Sequence, residues 1–99
     1  VLGTQIAKLV TLPKSLKKLV LNNCQNVPAE EFEKLDESFS HLEELDLENT
    51  RIIKLASLPK SLKRLNLSHC HLIDQELQQL KVFKNLHQIY LSKTFRGNP

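Results

Sequence analysis

The side chains most capable of chemistry in this chain are two cysteines, Cys24 and Cys70, and the histidines beside the second, in the run His69-Cys70-His71. A thiolate and two imidazoles could bind zinc, but zinc sites space their ligands by roughly two to five residues. Adjacent residues here would point in alternating directions, so no metal site is expected. No cysteine has a base at a recognisable motif spacing. The only glycines, Gly3 and Gly97, build no phosphate loop. The acidic residues Glu43, Glu44, Asp46 and Glu48 stand in a dense row that suits a solvated face rather than a general-acid pair. Asn66-Leu67-Ser68 fits a glycosylation acceptor, although the triplet also follows from the strand pattern described below. The expectation is therefore a chain that is no enzyme, with no cofactor and no metal.

What positions these residues is an internal repeat. Displaced by 46 residues, Thr4–Cys24 (TQIAKLVTLPKSLKKLVLNNC) falls on Thr50–Cys70 (TRIIKLASLPKSLKRLNLSHC), with 13 of 21 positions identical. Inside each long unit runs a shorter rhythm, L-x-x-L-x-L. It is seen at Leu16, Leu19, Leu21; at Leu42, Leu45, Leu47; at Leu62, Leu65, Leu67; and at Leu86, Ile89, Leu91. A small residue follows each copy: Cys24, Thr50, Cys70 and Thr94. Successive copies start 26, 20 and 24 residues apart. Periods of this size mark solenoids, in which each repeat buries its apolar face only against its neighbours.

The pattern resembles the leucine-rich-repeat family, whose signature is L-x-x-L-x-L-x-x-N/C-x-L, and the resemblance covers essentially the whole chain. Cys or Thr stands here where Asn is frequent. The Cys/Thr alternation, with LP-x-SL leading into the strand, is similar to repeats of plant intracellular immune receptors. The LP-x-x-L-x-x-L element is similar to bacterial effector repeats. The resemblance implies an α/β fold: a right-handed solenoid with a parallel concave sheet of about four strands. It also implies ligand binding on that concave face.

The residues themselves give the physical reason for such a fold. In L-x-L both leucines face the same side of a strand, since side chains alternate with period 2. Parallel strands about 4.8 Å apart then stack those leucines into one interior. Strand repeats are expected near residues 16–24, 42–50, 62–70 and 86–94, all within a single domain, 1–99. After Cys24, Pro28 and Glu30-Glu31 suit a helix start, with Phe32, Leu35 and Phe39 facing inward. Asp74 is expected to cap a second helix bearing Leu77, Leu80 and Phe83. After Thr50 the spacing allows only an extended or tightly turned return through Ile52, Leu55, Leu58 and Pro59. Helical and extended convex returns therefore alternate.

The outward strand residues form three columns. Lys18, Glu44, Arg64 and Gln88 make the first; Val20, Asp46, Asn66 and Tyr90 the second; Asn22, Glu48, Ser68 and Ser92 the third. These are the candidate partner-binding residues, with Tyr90 the one large anchor. The alternative is a solvated sheet held by cross-strand pairs such as Lys18–Glu44–Arg64.

The net charge of +3 raises the question of nucleic acid. Lys14, Lys17 and Lys18 lie in one layer and Lys60, Lys63 and Arg64 two layers on, with the acidic row between them. Phosphate backbones want an uninterrupted basic stripe, so no nucleic acid is expected. No stretch approaches the roughly 20 apolar residues of a membrane span. Cys24 and Cys70, two layers apart, would be separated by about 9–10 Å, too far for a disulfide, whose Cα limit is about 7 Å. Buried thiols beside Thr50 and Thr94, satisfying backbone groups, are expected instead. They favour a reducing compartment.

The expected function is protein–protein interaction through the concave surface, as part of a bacterial effector acting in the cytoplasm or host cytosol. Two alternatives are the targeting domain of a larger enzyme such as a ubiquitin ligase, and the sensing repeats of an immune receptor. The chain starts without Met, and neither end reads as a polar cap. It is therefore expected to be a fragment of a longer array, with self-association through uncapped ends as a further partner mode.

Overall fold

In a computed structural model the described residues are 12–52 and 54–92. They form one four-stranded sheet in the order β1-β2-β3-β4, comprising β1 (Lys18–Val20), β2 (Glu44–Asp46), β3 (Arg64–Asn66) and β4 (Gln88–Tyr90). All three pairings are parallel, and the register sets Leu19 against Leu45, Leu45 against Leu65, and Leu65 against Ile89. The leucine rhythm therefore aligns across every layer, as the period-2 argument requires.

The strands proper are shorter than the repeat segments, but the hydrogen-bonded ladder is not. It begins at Glu43 N–H to Lys17 C=O (2.8 Å) and continues past the strands through Leu21 N–H to Asp46 C=O (2.8 Å) and Asn23 N–H to Glu48 C=O (2.8 Å). The next two interfaces repeat it, with Asn49 N–H to Ser68 C=O (2.9 Å) and His69 N–H to Ser92 C=O (3.0 Å). The first three layers end their ladder on a residue of left-handed backbone: Asn23 (φ 63°), Asn49 (φ 56°) and His69 (φ 62°). Asparagine tolerates that region because its short polar side chain bonds locally. Here Asn49 also donates from Nδ2 to Asn23 Oδ1 at 2.8 Å, linking two layers at the turn.

The core is continuous. Leu19, Leu21, Leu45, Leu47, Leu65 and Leu67 from the strands are buried with Leu42 and Leu62 from the incoming turns. Phe32, Leu35 and Phe39 close it after β1, as the helical spacing predicts. That return is two single turns rather than one helix, α1 (Ala29–Phe32) and α2 (Leu35–Ser38), with Pro28 just before the first helical residue. After β2 the return is a 3-10 turn, Leu55–Ser57, with Ile52, Leu55 and Leu58 buried. After β3 come α3 (Asp74–Leu77) and a 3-10 turn, Gln78–Val82.

The expected Asp74 cap is not formed. Ile73 holds the cap position, and no side chain bonds the helix start. Asp74 lies one residue inside, where its charge still complements the positive end of the turn. Glu76, which the sequence reading did not single out, instead accepts the Leu55 N–H of the neighbouring layer at 2.9 Å. Other polar links also join the layers. Ser61 Oγ donates to Leu42 C=O at 2.6 Å, and Ser57 Oγ to Phe32 C=O at 3.3 Å.

Candidate functional site: the outward face of the sheet

The sheet register brings the predicted columns together. Lys18, Glu44, Arg64 and Gln88 stand opposite one another in sequence, as do Val20, Asp46, Asn66 and Tyr90. Their strand neighbours Leu19, Leu45 and Leu65 are buried, so alternation alone turns these residues outward. All of them but Gln88 floor a shallow open depression of about 280 Å³. Ligand pockets run from about 300 to 1,000 Å³ and enclose their ligands. This surface suits contact with a larger partner better than capture of a small molecule.

The first column is a self-neutralising row. Lys18 Nζ lies 3.7 Å from Glu44 Oε2, and the same carboxylate takes the Arg64 guanidinium. Arg64 Nε then donates to Gln88 Oε1 at 2.7 Å. Lys63 and Glu43, just before their strands, pair at 3.7 Å. The acids thus sit between the bases, as the sequence order implied, and the basic residues of alternate layers do not merge into one stripe.

In the second and third columns, two side chains shape the backbone. Asp46 Oδ1 accepts the Glu48 N–H at 3.0 Å, and Asn66 Oδ1 accepts the Ser68 N–H at 2.9 Å. These Asx-type bonds end the strand and start the turn. Asn22 and Glu48 are half-buried. Ser68 is only 6% exposed, and its Oγ accepts the Ser92 N–H at 3.1 Å. Its expected place on the binding surface is therefore corrected: Ser68 holds the next layer rather than facing solvent. Ser92 is exposed, and so is Tyr90, a large aromatic side chain, at 52%.

Beneath the turn, both thiols are buried and not joined in a disulfide. Cys70 Sγ donates to Leu47 C=O of the preceding layer at 3.0 Å. Thr50 Oγ1 donates to the same carbonyl at 2.8 Å. Burial pushes the Cys70 thiol above its ordinary value, against weaker opposing bonds from Thr50. Each of these two residue types supplies one donor, and here both converge on the Leu47 carbonyl. Thr94, the expected fourth member, lies outside the described residues. His69 and His71 line a separate cleft with Arg51 and Glu30. Among the described residues, no group of three metal-ligating side chains converges. Nor is any described helix long and apolar enough to cross a membrane.

Residues 61–86 match the family model described as Leucine Rich Repeat. No curated protein and no solved structure gave a match. The matched segment holds β3 and its convex return, and the layers on either side repeat its strand, register and inward leucines. The match supports a leucine-rich repeat over residues 61–86, and the four parallel strands fit an α/β solenoid of that kind.

Proposed function

We propose that this chain is a protein-binding module that receives its partner on the outward face of the sheet and performs no chemistry of its own. The observation that carries this reading is the contrast on that face between tied and available groups. The Lys18–Glu44–Arg64–Gln88 row is held by its own ion pairs and hydrogen bonds, which fixes a rigid platform. Tyr90 stands open beside it, the kind of large amphipathic side chain on which interface energy concentrates.

We place the module in a larger intracellular protein of the bacterial-effector kind, on the strength of the LP-x-x-L-x-x-L elements and the two buried thiols. The alternatives, the targeting part of a ubiquitin ligase or the sensing part of an immune receptor, call for different flanking domains and are separated by them. The interrupted basic residues favour a protein partner over nucleic acid.

The test compares partner capture by two folded variants. Glu44→Gln, Asp46→Asn and Tyr90→Ala together alter the sheet face while keeping side-chain acceptors at positions 44 and 46. Lys54→Glu with Lys81→Glu alters the convex side. Loss of a captured protein with the first variant and retention with the second is expected. The opposite outcome places the interface on the convex returns and overturns the proposal.

A further inference from the structure

The two charged groups of residues on the sheet face are not equally compensated. Along the first column, one carboxylate, Glu44, serves two cations, Lys18 and Arg64. Arg64 is held on its other side by Gln88, so its guanidinium is committed along that column. One step along the strands, Asp46 and Glu48 have no cation within ion-pair distance among the described residues. Their neighbours are neutral: Asp46 meets a backbone N–H, and Glu48 meets the Asn66 amide at 3.4 Å.

The second column gives this charge a shaped setting. The register runs Asp46, Asn66, Tyr90 across β2, β3 and β4. Asn66 sits between the other two, and its amide is folded away towards the turn by its bonds to Ser68 N–H and Glu48. A slot about two strand spacings or 10 Å wide runs over Asn66 from Asp46, whose carboxylate is likewise bonded to the Glu48 N–H, to the exposed Tyr90. All three residues line the same open depression.

We infer that this slot takes an arginine side chain from the partner protein, its guanidinium paired with Asp46 and stacked on Tyr90 above Asn66. A planar cation fits both groups at once: its edge donates to the carboxylate while its face lies against the ring. A lysine ammonium can reach both groups but is more strongly hydrated and lacks the planar fork that stacks and donates together. An acidic side chain is repelled by Asp46 and Glu48. The inference rests on the proposed use of the sheet face and adds the chemistry of the anchor.

The experiment titrates the full chain with three capped tripeptides, acetyl-Gly-Arg-Gly-amide and its Lys and Glu counterparts, followed by 1H–15N correlation spectra. The Arg peptide is expected to shift the Asp46, Asn66 and Tyr90 amides and the Asn66 side-chain NH2. The Lys peptide should do so more weakly and the Glu peptide not at all. Asp46→Asn, which keeps an acceptor for the Glu48 N–H, and Tyr90→Ala should each weaken the Arg response by about threefold to tenfold, the range of a single cation–π or charge contact. Equal shifts from the Glu and Arg peptides, or unchanged titrations of both variants, overturn the inference. If the Arg peptide fails while partner capture still depends on the sheet face, the anchor is wrong and the proposed function stands. If capture is indifferent to the sheet face, both fall.

Discussion

The returns after Cys24 and after Cys70 follow nearly the same strand template, yet they pack differently. In the first, Val27, Phe32, Leu35 and Phe39 are all essentially inaccessible. In the second, Leu72 and Phe83 are buried, but Leu77 and Leu80 are only half-buried and Ile73 is 50% exposed. The strand sequence sets the concave side of a layer. The convex side depends on what the return brings and what stacks beside it. The first return brings aromatic bulk at helical spacing. The second brings leucines on a tighter turn, and its partnering relies more on polar links such as Glu76 to Leu55 N–H.

The largest expected effect sharpens that contrast. Leu35→Ala should cost about 2–5 kcal/mol in urea unfolding, as for a buried leucine, whereas Leu80→Ala should cost less than half as much. Equal losses would show that both returns are core in the same sense. Next in size is Glu76→Ala, expected to cost about 1–2 kcal/mol because it leaves the Leu55 N–H without its charged acceptor. Asp36→Ala, which removes only an exposed 3.7 Å ion pair with Lys60, should cost at most about 0.5 kcal/mol.

The buried turn offers a prediction in pH. Because burial raises the Cys70 thiol above its reference value of 9.0, the unfolded chain loses that proton first. Stability from this group is therefore complete below the ordinary thiol range and declines as pH rises through and above it. Cys70→Ala should flatten that alkaline decline in denaturant midpoints. A slope as steep as wild type's would assign the decline to other groups. The smallest effect is at the sheet surface. Lys18→Ala should change stability by less than about 0.5 kcal/mol, since the exposed Lys18 leaves Glu44 still paired with Arg64.

The layers were readable in the sequence because one period repeats four times, and each copy must place its leucines on one side. The columns Lys18–Glu44–Arg64–Gln88 and Val20–Asp46–Asn66–Tyr90 followed directly from that alternation. The hidden features depend on contacts between layers. Burial of Ser68 arises from Ser92 lying over it, a neighbour 24 residues away. Glu76 reaches a backbone 21 residues earlier, across the stack. The left-handed residues at Asn23 and Asn49 carry a weak signal in their type, but His69 carries almost none. Asp74 misled because its type suits a cap while the backbone begins the helix one position earlier.

All of the site rests on neighbouring strands running the same way in register, since only then do Asp46, Asn66 and Tyr90 share one surface. Methyl-labelled nuclear Overhauser spectra test this most directly. The account predicts contacts from Leu19 to Leu45, Leu45 to Leu65, and Leu65 to Ile89. It predicts none of the short cross-strand Hα–Hα contacts that mark antiparallel pairs. Strong Hα–Hα contacts between these segments, or leucine methyls that meet water rather than one another, would contradict it.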